Sequence, residues 1–244
     1  MMKPVFLLCL LAWPIFVNAQ NDRYQDYNNV NWAQLFVTKN LASKTDWLIE
    51  YQLRRTNGLK NWQQGLFRTA IQYKASSALW LAAGYAEAET FAYGDFPIAA
   101  NGTFPEHRLF EQVTLRQEIK PITITHRFRI EQRFIGKVVA GTDREIEEWI
   151  FSNRFRYMLR LQHNFNKQWY AWAADELMLN AGKKVGVNIF DQNRLHTNVG
   201  CKINKQVAVE FGYINQTLQQ GRRINNQTII QRNNGLVLAT LVNF

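Results

Sequence analysis

The 244 residues carry 29 Lys+Arg against 19 Asp+Glu, a net charge of +10 and a pI near 9.7. With 47% hydrophobic and 14% aromatic residues the chain is too apolar for a disordered protein, and two cysteines cannot supply a disulfide framework or a zinc cluster. The histidines at 107, 126, 163 and 196 stand singly, so no metal and no other cofactor is implied.

The chain begins "MMKPVFLLCLLAWPIFVNAQ", which reads as a secretory signal peptide. Lys3 forms a short positive start, Val5 to Val17 an apolar run, and Val17-Asn18-Ala19 places small residues where a signal peptidase reads. The run is shorter than the ~20 residues a transmembrane helix needs. Cys9 lies within it and not just after a cleavage site, which argues against a lipid anchor. The expected organisation is therefore a signal peptide over residues 1–19 and one domain over residues 20–244, with Cys201 alone and a charge of +9. Export makes nucleic acid an unexpected partner despite the basic pI. Membrane lipids and anionic saccharides are the expected anionic neighbours.

Beyond the signal, apolar residues alternate with polar ones, the period of a strand. In "DWLIEYQLRR", Trp47, Ile49, Tyr51 and Leu53 oppose Glu50, Gln52 and Arg54. In "LFEQVTLRQEI", Leu109, Val113, Leu115 and Ile119 oppose Arg108, Gln112, Arg116 and Glu118, with Glu111 breaking the apolar face. From Ile122 to Phe134 the split is nearly clean over thirteen residues, roughly 40 Å of strand at ~3.3 Å per residue. Arg127, Arg129, Glu131 and Arg133 fall on one face, and His126, Phe128, Ile130 and Phe134 on the other. "EWIFSNRFRYMLRL" and "KQVAVEFGYIN" continue the pattern, whereas "WYAWAADELML" assigns no clear face.

Candidate strands cover 30–38, 46–55, 62–74, 78–90, 105–119, 122–135, 146–162, 167–180, 189–203, 205–218 and 226–244. Asn233-Asn234-Gly235 is a hairpin signal that could split the last into two. Short connections at 74–77, Pro121, 164–167 and Asn204 alternate with longer ones at 91–104, 136–145, 181–188 and 219–225. Strands this long, with short turns at one rim and long loops at the other, predict an all-β fold: an antiparallel up-and-down transmembrane β-barrel of about 10–12 strands. With the short turns periplasmic, ten strands from residue 46 onward leave both ends on that side and residues 30–38 without an assigned place. A soluble β-sandwich is the competing architecture, but it needs only short strands. Trp47, Tyr73, Trp149, Trp169 and Tyr213 suit interfacial aromatic girdles. The end "LVLATLVNF", closing on Phe244, resembles the C-terminal strand that outer-membrane assembly machinery recognises. The expected location is thus the outer membrane of a Gram-negative bacterium.

In that barrel the charged strand faces point inward. Arg54, Arg68, Arg108, Arg116, Arg127, Arg129, Arg133, Arg154, Arg156 and Arg160 would line the lumen with Glu50, Glu106, Glu118, Glu131 and Glu210. Two readings follow: a lumen filled by arginine–carboxylate ladders, or a narrow anion-attracting pore, since arginine outnumbers carboxylate.

Three stretches carry a resemblance: "NWAQLFVTKNLASKTDWLIEYQLRR", the pair "PEHRLFEQ" and "HRFRIEQRF", and "RFRYMLRLQ". Together they resemble an uncharacterised family of Bacteroidota outer-membrane proteins, domain of unknown function 2490. The resemblance implies an outer-membrane barrel and supplies no catalytic residue, ligand or site.

A search for enzymatic motifs finds no G-x-S-x-G, no H-E-x-x-H and no phosphate loop. Ser152 and His126, the pair an outer-membrane lipid hydrolase would need, fall on opposite strand faces. The expected function is a small integral barrel in a structural, binding or narrow-pore role. A lipid hydrolase and a soluble anion-binding sandwich are the alternatives.

Overall fold

Alternation between a greasy and a polar side leaves these segments one regular solution, the extended strand. The computed structural model describes residues 23–100, 102–142, 144–183 and 185–244, so the expected signal segment lies outside the described residues. Eleven strands follow in chain order: β1 (Arg23–Ala42), β2 (Thr45–Thr56), β3 (Asn61–Lys74), β4 (Leu79–Thr90), β5 (Phe104–Ile119) and β6 (Ile122–Val138). Then come β7 (Ile146–Asn164), β8 (Trp169–Ala181), β9 (Phe190–Lys202), β10 (Val207–Ile224) and β11 (Gln227–Asn243).

Each strand pairs antiparallel with its sequence neighbour, and β1 pairs parallel with β11 to close a single barrel. The parallel seam is a consequence of parity. Every connection reverses direction, so the first and eleventh strands must run the same way. Closure pairs the first strand with the last, so the described sheet has no free edge strand. It also excludes the two-sheet sandwich considered from sequence.

The count corrects four details of the sequence reading. Residues 30–38 are the middle of a twenty-residue strand that completes the wall. The start of β1 and the end of β11 therefore lie at opposite rims, not at the same one. Asn233-Asn234-Gly235 does not turn but runs through β11, pairing with Asn28, Asn29 and Val30. The turn falls earlier, at Asn225-Asn226, whose φ values of 49° and 63° suit a tight two-residue hairpin. The long loop expected at 219–225 is instead mostly strand, with its register shifted between Gln219 and Arg223.

Gly235 shows why the seam closes where it does. A Cβ there would overlap the Val30 carbonyl oxygen, so β1 can approach β11 only with a glycine at that position. Val30, Trp32, Ile214 and Val237 pack as a small buried cluster across the same seam. Phe244 extends it: its N–H donates to Thr38 O at 2.9 Å, and the Asn40 N–H donates to Phe244 O at 2.9 Å.

The wall is inverted relative to a water-soluble protein. Among the described residues, 27 buried side chains are polar or charged and 19 are hydrophobic. Large apolar groups such as Ile71, Phe128, Phe155, Phe211 and Leu238 face outward. The expected girdle residues all point outward too: Trp47, Tyr73 and Trp169 near the short-turn rim, Trp149 near the other rim, and Tyr213 between them.

The outward face turns polar roughly nine residues above the short-turn rim, about 20–25 Å along the axis for strands tilted ~40°. Glu111, the residue that broke the apolar pattern of β5, belongs to this collar and accepts from Gln132 Nε2 at 3.1 Å. Asn193 Nδ2 donates to Asp175 at 2.7 Å, and Asn234 Oδ1 accepts from Asn215 at 2.6 Å. Above the collar, Phe134, Trp149 and Phe151 extend an apolar exterior on β6 and β7.

Candidate functional site

Successive inward positions of a strand stack about two residues apart, so charged residues at every second position form vertical ladders. On β6 these are Arg127, Arg129, Glu131 and Arg133; on β7 they are Arg154, Arg156 and Arg160. Glu131 is fully buried at the centre. It accepts from Arg154 Nε at 2.8 Å and Arg156 Nη1 at 2.7 Å, with Arg129 at 3.6 Å. Arg156 reaches on to Glu176 at 2.7 Å, and Glu176 also takes Arg127 at 2.6 Å.

Toward the long-loop rim, Glu106 lies between Arg108 at 2.7 Å and Arg133 at 2.5 Å. Arg154 bonds Asp191 at 2.9 Å, and Asn180 links Asp191 (3.2 Å) to Arg133 (3.1 Å). Toward the short-turn rim, Glu50 pairs with Arg68, Glu210 accepts from Tyr170 at 2.8 Å with Arg160 at 3.6 Å, and Asp46 pairs with Lys74 at 2.6 Å. Thus Glu50, Arg54, Arg68, Arg108, Arg127, Arg129, Glu131, Arg133, Arg154, Arg156, Arg160 and Glu210 face one interior. Arg116 and Glu118 meet each other at 3.3 Å near the short-turn mouth, where Glu118 is 64% exposed and outside the buried network.

Several members of this network escaped the sequence reading. Glu176 sits in "WYAWAADELML", where Asp175 and Glu176 are adjacent and put one acid on each face, hiding the alternation. Asp191 opens β9 and Asp26 lies ahead of the first expected strand. Arg194 was readable, since Leu195, Thr197 and Val199 mark the outward side of β9.

Loop residues 91–100 turn inward and span the long-loop mouth. Asp26 on β1 accepts from the N–H groups of Asp95 (3.4 Å) and Phe96 (3.3 Å) and from Gln231 (3.0 Å). The Tyr93 hydroxyl takes bonds from Gln63 and Asn233, each 3.1 Å, and donates to Gln231 at 3.2 Å. Burial pushes that hydroxyl up from its ordinary pKa, so it stays protonated as a donor. Gln220 and Arg222 hold the Phe96 and Pro97 carbonyls at 2.5 and 2.7 Å. Asp26→Ala is expected to free this loop, read as faster proteolysis within 91–103 while the barrel core stays resistant.

Loop and ladders divide the bore. A cavity of about 430 Å³ lies at the long-loop mouth, one of about 70 Å³ beneath Tyr93, and one of about 440 Å³ in the short-turn half. The hydrolase pair does not assemble. Ser152 is buried inside, whereas His126 faces outward and bonds the Tyr157 hydroxyl at 2.9 Å.

The model of the family "Protein of unknown function (DUF2490)" matches residues 29–228. The chain belongs to this family. The match runs from β1 to the first residues of β11, so this DUF2490 barrel carries its ladders wholly within the matched region. The chain is also similar to an uncharacterized protein of Methylorubrum extorquens, at 28% identity over 222 residues covering 86% of each chain.

Proposed function

We propose that this DUF2490 chain is an integral barrel of a bacterial outer membrane, exported by its signal segment, with a lumen closed to free diffusion. The inverted wall supports this reading: charge sits inside the closed ring and large apolar side chains sit outside, below a polar collar. Lipids would contact the belt, and the assembly machinery would engage β11 with Phe244. Fifteen residues named from sequence, from Glu50 to Glu210, would serve as the lumen lining, with Arg116 and Glu118 at its mouth. The interior braces the barrel and binds.

The experiment is refolding of the mature chain into vesicles. It should float with lipid and migrate differently on a detergent gel before and after boiling. Recovery in the aqueous fraction without detergent would contradict membrane insertion. Arginine excess favours a narrow anion pore as the second reading. In planar bilayers the folded protein is expected to give no steady open-channel current, because the inward ladders and the loop residues 91–100 divide the bore. A stable anion-selective current would establish the pore instead.

A further inference from the structure

Seven arginines but only three carboxylates, Glu50, Glu176 and Glu210, line the 440 Å³ cavity in the short-turn half. The imbalance is concentrated on three side chains. Arg54 donates to Gln52 (2.6 and 3.0 Å) and Gln64 (2.6 Å), and Arg194 to Gln192 at 2.9 Å; both have neutral partners. Arg129 donates to Gln112, its side chain is 5% exposed, and its Nη1 has no hydrogen-bond partner, lying 3.6 Å from a Glu131 already shared by Arg154 and Arg156. Desolvated cationic charge of this kind is costly without a counter-ion.

The three guanidinium groups also sit over aromatic rings. Arg54 and Arg194 lie 4.0 and 5.1 Å from the Trp32 ring, and Arg129 lies 4.6 Å from the Phe110 ring. Stacking fixes a guanidinium plane and leaves its N–H edge for a planar, two-oxygen acceptor. The rest of the wall is partly apolar: Phe36, Met158, and Trp172 stacked beside His196 at 6.1 Å. A bare oxyanion would leave most of this volume empty, whereas cavities of ~300–1,000 Å³ suit small organic ligands. Arg127 and Arg160 on the wall keep side-chain exposures of 23% and 27%, so the cavity is not sealed from solvent.

We propose that this half-lumen is a binding site for a small organic oxyanion, its phosphate or carboxylate held by Arg54, Arg129 and Arg194 and its apolar body against Phe36, Met158 and Trp172. The proposal deepens the reading of the interior as a binding lumen.

The test is calorimetric titration of the folded mature chain in non-ionic detergent with phenyl phosphate, inorganic phosphate and phenol. Saturable 1:1 binding of phenyl phosphate is expected, at least about tenfold tighter than either fragment and weakened by salt. The Arg54→Gln/Arg194→Gln double variant is expected to lose about tenfold or more in affinity. Arg222→Gln, at the other rim, should bind unchanged. If the double variant does not fold, Arg194→Lys replaces it: the charge remains, the planar fork is lost, and affinity should drop severalfold. Absence of saturable phenyl phosphate binding, or equal affinity in the folded double variant, would overturn the site. Vesicle flotation of the same preparation reads membrane insertion separately, so either idea can fail while the other stands.

Discussion

Glu131→Gln is expected to destabilise the folded barrel by about 3–5 kcal/mol, the usual consequence of removing one member of a buried ionic cluster. Glu131 is 0% exposed and is the common acceptor for Arg154 and Arg156, with Arg129 beside it. The amide keeps the shape but removes the charge, so guanidinium groups from two adjacent strands lose a shared counter-ion together, with Asp191 and Glu176 left to Arg154 and Arg156. A urea midpoint measured in detergent or vesicles checks this. Glu118→Gln is the matched control: its carboxylate is 64% exposed and 3.3 Å from Arg116, and the midpoint should stay where it is. Equal effects from the two would remove the buried Glu131 network from the account of stability.

Gly235→Val is expected to prevent closure altogether. A side chain at that position overlaps the Val30 carbonyl oxygen, a backbone atom that cannot swing aside as a flexible side chain would. Because this is the parallel seam, the last pairing needed to finish the ring, the strain opens two edges at once. The refolded variant should lack the compact, boiling-sensitive gel band. Gly65→Ala, where a Cβ meets nothing within 4 Å, should retain it.

The legible parts of this fold were those carried by a local period of two. The faces of β2, β5, β6, β7 and β10 follow from which residues alternate; Arg54, Arg108, Arg129, Glu131, Arg154 and Glu210 on them are buried, whereas Glu118 is 64% exposed. Glu111, which looked like a flaw, is a member of the outer collar, and only the neighbouring Gln132 makes sense of it. Properties set by pairing across the ring were not readable locally. Whether β1 belongs to the wall depends on the total strand count, and the direction of its pairing with β11 depends on that count being odd. The binding half of the lumen escaped for a related reason. Arg54, Arg129 and Arg194 come from β2, β6 and β9, and that only Gln partners surround two of them is a fact of register, not of spacing. The inward path of loop residues 91–100 rests on Asp26, more than sixty residues away in the chain.

Site-directed spin labelling in vesicles reads whether the outward apolar wall faces lipid. On a Cys201→Ser background, labels at Phe128, Tyr157 and Phe211 should be accessible to oxygen and shielded from a water-soluble nickel chelate. Labels at Glu87 and Asn215 on the collar should show the opposite. If labels at Phe128 and Phe211 are as open to the chelate as the one at Glu87, the outward apolar belt does not face lipid and the account is wrong.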